Sequence, residues 1–240
     1  MIALTRRDGR PLRIGHRGAA TLAPENTLAS FRAARDVGVD LIEFDVVAAR
    51  DGELLVAHAR ADVNADTPTL EEALGFFVDE AAQVGPHLDL KVKGRERDVV
   101  AALRRHGLEE RAFISGLHRE TARAVRGQSA SIRVGITFPR ALLGVSDEGR
   151  RAPVGRAGLR GLRRVTPRVV PWLLRSTEAT AIALHHRLVT AASVHAAHAR
   201  GVPVVAWTVD DSDELARVDA AGVDAVVTND PRIFTSTLKA

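Results

Sequence analysis

The sequence contains no cysteine and no tyrosine. The absence of cysteine excludes disulfides, thiolate metal ligands and a cysteine nucleophile, and it is weak evidence for a reducing compartment. With aromatic residues at only 4%, the chain also lacks the interleaved aromatic and basic positions of a nucleic-acid-binding module. We therefore expect no nucleic-acid partner.

Long apolar runs are absent as well. No run approaches the ~18 apolar residues that are needed to span a bilayer. Residues 1–8 lack the apolar core of a signal peptide. We therefore expect no transmembrane segment and a cytoplasmic location.

The overall composition is that of an ordinary globular protein. Hydrophobic residues make up 45% and charged residues 27% of the 240 positions, with 19 glycines and 10 prolines, so disorder and low complexity are disfavoured. A chain of this length can bury one large core. We therefore predict a single domain over residues 1–240.

Arginine is concentrated late in the chain. Eight arginines lie between Arg150 and Arg175, and no acidic residue lies between Arg150 and Glu178. Such a block suits an anionic ligand, although a solvated loop and helix in an arginine-rich chain is the more ordinary explanation. Because Pro153 and Pro167 interrupt residues 142–177, we predict a long loop there with one or two short helices.

Eight short aliphatic runs alternate with stretches of helical period, which predicts repeated strand-then-helix units. The predicted strands are Leu12–Gly15, Leu41–Val47, Leu88–Val92, Ala112–Ser115, Ile132–Thr137, Ala181–Leu184, Val204–Trp207 and Ala225–Thr228. The predicted helices are Thr27–Val37, Leu70–Ala82, Arg95–Arg105, Arg119–Val125, Thr190–Ala199 and Asp211–Ala220.

Such a pattern fits either a doubly wound open sheet or a closed barrel, both of the α/β class. Eight repeats in 240 residues favour a (β/α)8 TIM barrel. The segment Gly15–Gly18 after the first strand lacks the third glycine of a dinucleotide-binding loop, which removes the main functional support for the open sheet.

Local signals predict where the first two helices begin. Asn26 or Thr27 can accept a backbone N–H at the start of the first helix, and Pro24 discourages helix before it. Thr69 and Glu72 resemble a capping box at the start of the second helix.

Two strand ends carry paired polar residues. Residues two apart in a strand face the same side, so Glu43 and Asp45 project together while Phe44 points toward the helices. A divalent cation would relieve the repulsion between the two carboxylates, although a core lysine or arginine would do the same. Asp89 and Lys91 share a direction by the same logic, either as metal and phosphate ligands or as an internal ion pair.

Two histidines accompany these carboxylates. His16 follows the first strand, at the end of a barrel where enzymes keep their chemistry, and His58 closes a hairpin turned by Asp51-Gly52. Each histidine alone could be a buried structural residue. Together they can supply the general base and the general acid that phosphodiester cleavage requires. We assign no role to His87, and leave His185-His186 as structural or close to the substrate.

These motifs, in this order, resemble the glycerophosphodiester phosphodiesterase family. The resemblance rests on His16-Arg17-Gly18, Pro24-Glu25-Asn26-Thr27, Glu43-Phe44-Asp45, Asp51-Gly52 before His58, Pro68–Leu74, Leu88–Lys91, Val205–Val209 and Gly222–Pro231.

The resemblance implies a role for each matched position. It implies His16 and His58 as the acid/base pair, and Arg17 and Lys91 as phosphate ligands. Glu43, Asp45 and Asp89 would bind one divalent cation, Mg²⁺ or Ca²⁺, and Trp207 would contact the substrate unless it only packs in the core. The implied substrate is a small-molecule glycerophosphodiester, cleaved through a cyclic phosphate or by direct attack of water.

Three positions depart from the family pattern. Ala59 follows His58 where the family usually has aspartate, Asp89 replaces the more usual glutamate, and residues 59–67 form an unusually short cap insertion. A short cap predicts an open mouth, so a lysophospholipase D-like activity with transient lipid-surface contact through Val170–Arg175 is the alternative. A non-catalytic barrel that binds a phosphate ligand is a further one.

Overall fold

The computed structural model describes residues 2–116, 118–139 and 153–237, and eight parallel strands in these ranges close into a barrel. The first strand pairs with both the second and the last, which excludes the open sheet. The barrel strands are β1 (Leu12–Gly15), β2 (Leu41–Ala48), β4 (Gly85–Leu90), β5 (Phe113–Gly116), β6 (Arg133–Phe138), β7 (Ala181–His185), β8 (Val204–Trp207) and β9 (Ala225–Thr228), and β3 (Leu54–Val56) pairs antiparallel to β2.

Helices follow the strands in the alternation that the periodicity predicted. They are α1 (Leu28–Val37), α2 (Leu70–Asp79), α3 (Glu96–Arg105), α4 (Arg119–Gln128), α5 (Pro153–Thr177), α6 (Ala191–His198) and α7 (Ser212–Ala220). A 3₁₀ segment, Pro231–Thr237, follows β9. The TIM-barrel prediction is thus confirmed.

The barrel interior is filled by side chains rather than hollow. Inward-facing aliphatic residues from β1, β7, β8 and β9 pack around Phe113, and Leu4, which is fully buried, joins this cluster. Gly135 makes room for the ring, because a Cβ at this position would lie 2.7 Å from Phe113 Cζ. The buried carboxylates Glu43, Asp45 and Asp89 lie above this apolar layer, toward the carboxyl ends of the strands.

The second core lies between the strands and the helices. Phe44 points outward from β2, as the alternation predicted, and its ring centroid lies 5.3 Å from that of Phe31 on α1 and 5.9 Å from that of Phe77 on α2. The two helices are thereby anchored to the strand whose opposite face carries Glu43 and Asp45.

The helix starts agree with the predicted caps. Thr27 caps α1 by accepting the N–H of Ser30. Thr69 accepts the N–H of Glu72 while its own N–H donates to the Glu72 carboxylate at 2.8 Å, which is the predicted capping box. Because Thr27 does the capping, Asn26 is available for another partner.

The prediction of a loop with short helices was wrong for residues 153–177, which form the single helix α5, with Pro167 and Pro171 inside it. The physical reason is a buried stripe at helical spacing, formed by Thr166, Val170, Leu173 and Thr177, whose packing outweighs the prolines. Residues 142–152 of the predicted loop lie outside the described ranges. Neither α5 nor any other helix of the described chain has the length and apolarity that crossing a bilayer requires.

A hairpin brings the second histidine to the barrel mouth. The turn between β2 and β3 uses Gly52 at φ 95°, and the N–H of Glu53 donates to Asp51 Oδ1 at 3.1 Å. His58 follows β3 by two residues. The chain then reaches α2 through one 3₁₀ turn, Arg60–Asp62, so the cap is as short as predicted.

Candidate active site

The predicted carboxylates converge at the carboxyl ends of neighbouring strands. Asp45 on β2 is in register with Asp89 on β4, and Glu43 lies one inward position below Asp45. All three residues are buried, and each offers an oxygen within 4.8 Å of the other two. The structure therefore assembles the three oxygen donors that the sequence predicted to meet.

Lys91 lies against two of these carboxylates. Its Nζ is 2.7 Å from Asp45 Oδ1 and also contacts Asp89 Oδ2. Burial alone would raise the pKa of Asp45, but Lys91, His58 and Arg17 hold that pKa well below its usual range. The internal ion pair considered from the sequence is thus present.

Glu43 differs from its two neighbours. Burial, together with the charges of Asp45 and Asp89, raises the pKa of Glu43 well above its usual value. The three buried carboxylates outnumber the two neighbouring cations, Lys91 and Arg17, so a further cation would be stabilised here. Carboxylate oxygens are also the ligands that a hard divalent cation prefers. The residues present therefore fit a divalent ion.

Arg17 ties the site together. Its backbone has φ 51°, a left-handed conformation, and its N–H donates to Glu43 Oε2 at 2.9 Å. Its guanidinium bonds Glu25 at 2.8 Å and 2.9 Å, and its Nε lies 3.0 Å from Asp45 Oδ2. These contacts hold a permanent positive charge beside the carboxylate cluster.

The hydrogen bonds of His16 determine which of its nitrogens carries the proton. Asn229 donates through its amide nitrogen to Asp210 Oδ2 at 2.8 Å, so its Oδ1 must face His16 Nδ1, at 2.6 Å. An amide oxygen only accepts, and therefore Nδ1 is protonated. Burial, and then the charge of Arg17, lowers the pKa of His16, which leaves Nε2 as a neutral acceptor 3.8 Å from Glu43 Oε2.

His58 is more exposed than His16. Its Nδ1 lies 2.9 Å from Arg17 Nη2 and 3.1 Å from Asp45 Oδ2, and it can serve only one of them at a time. The residue after it, Ala59, has no carboxylate and donates its N–H to Asp62, so the carboxylate beside the His58 ring is that of Asp45. A groove of ≈ 360 Å³ adjoins His58, lined by residues 24–27, 56–58, 62, 64 and 66–68.

Sequence reasoning missed the role of Asn26. Its amide nitrogen donates to Asp45 Oδ2 at 3.0 Å, and its Oδ1 accepts the N–H of Asp45 at 3.1 Å. The signal was its place in the Pro24–Thr27 motif, which we had interpreted as a helix cap. Asn229, which bonds His16, and Asp210, which bonds Asn229, were also missed, because both lie more than 190 residues from His16 in the chain.

Sequence reasoning also set aside His87, which the structure places in the site. His87 is buried on β4, two residues before Asp89, and its Nε2 lies 2.9 Å from Ser115 Oγ. Ser115 in turn donates to Asp89 Oδ1 at 3.0 Å. The two-residue spacing between His87 and Asp89 was the available signal.

Trp207 lies at the carboxyl end of β8 and is 9% exposed. Its ring packs edge-on against His185, with centroids 5.2 Å apart, and it lines a small cavity together with His16 and Glu43. The predicted substrate contact and simple core packing are both compatible with this placement. His185 therefore lies beside Trp207 at the carboxyl end of β7, which is compatible with either a structural role or a place close to the substrate.

Comparisons with known proteins agree with this arrangement. The model of the Glycerophosphoryl diester phosphodiesterase family matches residues 16–69 and 63–233. A glycerophosphodiester phosphodiesterase of Caldanaerobacter subterraneus is 24% identical, over 94% of this chain and 97% of that protein. One from Arabidopsis thaliana is 28% identical, over 95% of this chain and 74% of that protein.

Solved structures share the fold. A crystal structure described as a glycerophosphoryl diester phosphodiesterase from Silicibacter pomeroyi has a TM-score of 0.75 at 22% identity, covering 98% of this chain and 96% of its own. An Oleispira antarctica phosphodiesterase, solved with the product sn-glycerol-3-phosphate, has a TM-score of 0.70 at 21% identity, covering 96% and 98%. Since the family model matches almost the whole described barrel, the chain belongs to the glycerophosphoryl diester phosphodiesterase family of hydrolases.

Proposed function

We propose that this chain is a divalent-metal phosphodiesterase that hydrolyses glycerophosphodiesters to glycerol 3-phosphate and an alcohol such as choline or ethanolamine. The observation that carries the proposal is the convergence of Glu43, Asp45 and Asp89, with His16 and His58 beside them. The product bound to the Oleispira relative supports the proposed product class.

The three carboxylates would hold Mg²⁺ or Ca²⁺, both of which prefer oxygen ligands. When bound, such a cation polarises a phosphoryl oxygen and offsets negative charge. Arg17 and Lys91 would neutralise the remaining phosphate oxygens, Arg17 through its planar guanidinium and Lys91 as a compact point charge.

The two histidines would divide the proton transfers between them. His16, with its neutral Nε2, would accept the proton of the attacking hydroxyl, from water or from a neighbouring substrate hydroxyl. The new O–P bond then forms as the ester O–P bond breaks, and His58 would give a proton to the departing alkoxide. Attack by a substrate hydroxyl would leave a cyclic phosphate, which water would then open. In that second step the two histidines would exchange roles, so that His58 accepts the proton of water and His16 returns one to the substrate oxygen.

The first experiment is an assay of glycerophosphocholine turnover with the metal varied. Excess chelator should abolish turnover, and Mg²⁺ or Ca²⁺ added back should restore it, because the cluster needs the cation to bind and activate the phosphate. A chromatographic assay for glycerol 3-phosphate measures both. If the protein binds the diester but turns over none of it with any tested metal, it is the non-catalytic barrel that we considered as an alternative.

A lysophospholipase D-like activity is the second candidate, favoured by the short cap and by the surface of α5. Val170, Leu173 and Leu174 are buried, so Trp172, at 44% exposure, is the apolar group of that segment open to a lipid surface. The guanidinium of Arg119 lies over its ring at 4.8 Å. The same helix exposes a row of arginines, Arg160, Arg163, Arg164, Arg168 and Arg175.

Replacing Arg160, Arg164 and Arg168 together by glutamine tests the contact with lipid. Arginines near an anionic surface contribute about 1 kcal/mol each, so we expect the triple variant to bind phosphatidylglycerol vesicles roughly 100-fold more weakly in a sedimentation assay. Turnover of glycerophosphocholine should not change. The contact would be contradicted if the variant bound phosphatidylglycerol vesicles as tightly as wild type does. It would also be contradicted if wild type bound neutral phosphatidylcholine vesicles as tightly as phosphatidylglycerol vesicles.

The lipid activity itself has a separate test. Lysophosphatidylcholine presented with Mg²⁺ or Ca²⁺ should release choline if the open mouth admits a single-chain lipid. Turnover of glycerophosphocholine with no product from the lipid would exclude this candidate and leave the first in place.

A further inference from the structure

A chain of hydrogen bonds lies directly behind one of the candidate metal ligands. His87 Nε2 is 2.9 Å from Ser115 Oγ, and Ser115 Oγ is 3.0 Å from Asp89 Oδ1. All three residues are buried, and the strand register places Ser115 beside Asp89. The contacts therefore link two neighbouring barrel strands, β4 and β5, at the level of the carboxylate cluster.

The direction of these hydrogen bonds follows from the groups involved. An ionised carboxylate only accepts, so the single hydroxyl proton of Ser115 goes to Asp89. The Ser115 oxygen must then accept from His87, which places the proton of the neutral ring on Nε2 and leaves Nδ1 as an acceptor.

The buried Nδ1 of His87 has no hydrogen-bond partner among the described residues. His87 and Thr137 line a cavity of ≈ 30 Å³, enough for a single water. A water there would satisfy Nδ1 and hold the ring in the tautomer that donates to Ser115.

We propose that Ser115 and His87 are positioning residues that orient the Asp89 carboxylate for the divalent cation. Asp89 is held at both oxygens, Oδ1 by Ser115 and Oδ2 by Lys91. Lys91 has a long, flexible side chain, whereas Ser115 is short and buried on β5, so the bond to Ser115 would keep the Asp89 carboxylate oriented if Lys91 moved to bind phosphate. The inference rests on the proposed function, because it concerns the same metal site.

The test compares the metal affinity of three variants by isothermal titration with Mg²⁺ and with Ca²⁺. Ser115→Ala removes the hydroxyl that holds Asp89, so its Kd should rise by 10-fold or more, in the range typical of residues behind a metal ligand (roughly 10–100-fold). His87→Leu leaves the Ser115 hydroxyl in place and should have a smaller effect. Ser129→Ala, which removes a buried serine hydroxyl that bonds the N–H of Ser131 outside the site, is the matched control and should bind as wild type does.

A purely structural role predicts a different order. Since His87→Leu is the larger change of side chain, it would then weaken binding more than Ser115→Ala and lower the unfolding temperature in parallel. For a positioning role, saturating metal should restore most of the kcat of Ser115→Ala, and Ser115→Thr, which keeps the hydroxyl, should retain most of the affinity.

The outcomes separate this inference from the proposed function. If wild type binds the metal and Ser115→Ala binds it equally well, the positioning role is overturned while the metal site remains. If wild type binds neither Mg²⁺ nor Ca²⁺, the proposed metal-dependent function is wrong, and the positioning role, which depends on it, is wrong as well.

Discussion

Replacement of His16 by alanine is expected to lower the turnover of glycerophosphodiesters by roughly 10²–10⁴-fold. The reason is that Asn229, itself oriented by Asp210, holds the proton of His16 on Nδ1, so the neutral Nε2 is the acceptor. No other imidazole of the described residues has this arrangement beside Glu43. The measurement is kcat for glycerophosphocholine at saturating Mg²⁺.

Metal affinity separates this effect from damage to the site. His16→Ala and His58→Ala should both bind Mg²⁺ nearly as wild type does, because neither histidine is among the three carboxylates that would hold the ion. Loss of metal binding equal to that of a carboxylate variant would contradict the proposed roles. Asn229→Leu tests whether the Asn229 amide oxygen holds the proton of His16 on Nδ1. This variant should reduce kcat and leave metal affinity unchanged.

The second large effect is expected from Glu43→Gln, which should weaken metal binding and activity together. Glutamine keeps the shape and an oxygen that accepts the N–H of Arg17, but it removes one negative charge from the cluster. The loss of metal affinity should exceed the 10–100-fold that is typical of residues behind a ligand. Isothermal titration and turnover at several Mg²⁺ concentrations measure it.

Thermal unfolding gives this prediction an independent readout. In excess chelator, Glu43→Gln should unfold at a temperature equal to or above that of wild type, since it relieves repulsion with Asp45 and Asp89. Added Mg²⁺ should then raise the unfolding temperature of wild type more than that of the variant, as expected for a ligand that binds only the folded protein. An equal rise in both would show that Glu43 is not a ligand.

The sequence predicted the barrel because the information needed for it is local. The period of two in Glu43-Phe44-Asp45 determined which side chains face the interior, and the observed packing of Phe44 on α1 and α2 agrees. The capping box at Thr69 and Glu72 was readable for the same reason, since both partners lie within one helical turn. Helix α5 was not readable, because its prolines argued against it and only the packing of Val170 and Leu173 favours it.

The features of the candidate site also divide into those that the sequence predicted and those that only the structure revealed. The sequence alone determined the family, the alternation of strands and helices, and the set of acids, bases and histidines at the strand ends, because these depend on residue type and short spacing. Only the tertiary structure decided which partners they have: Asn229 on His16, Asn26 on Asp45, and Ser115 with His87 on Asp89. Hydrogen bonds require an approach of about 3 Å between groups far apart in the chain, and closure of the barrel is what brings those groups together.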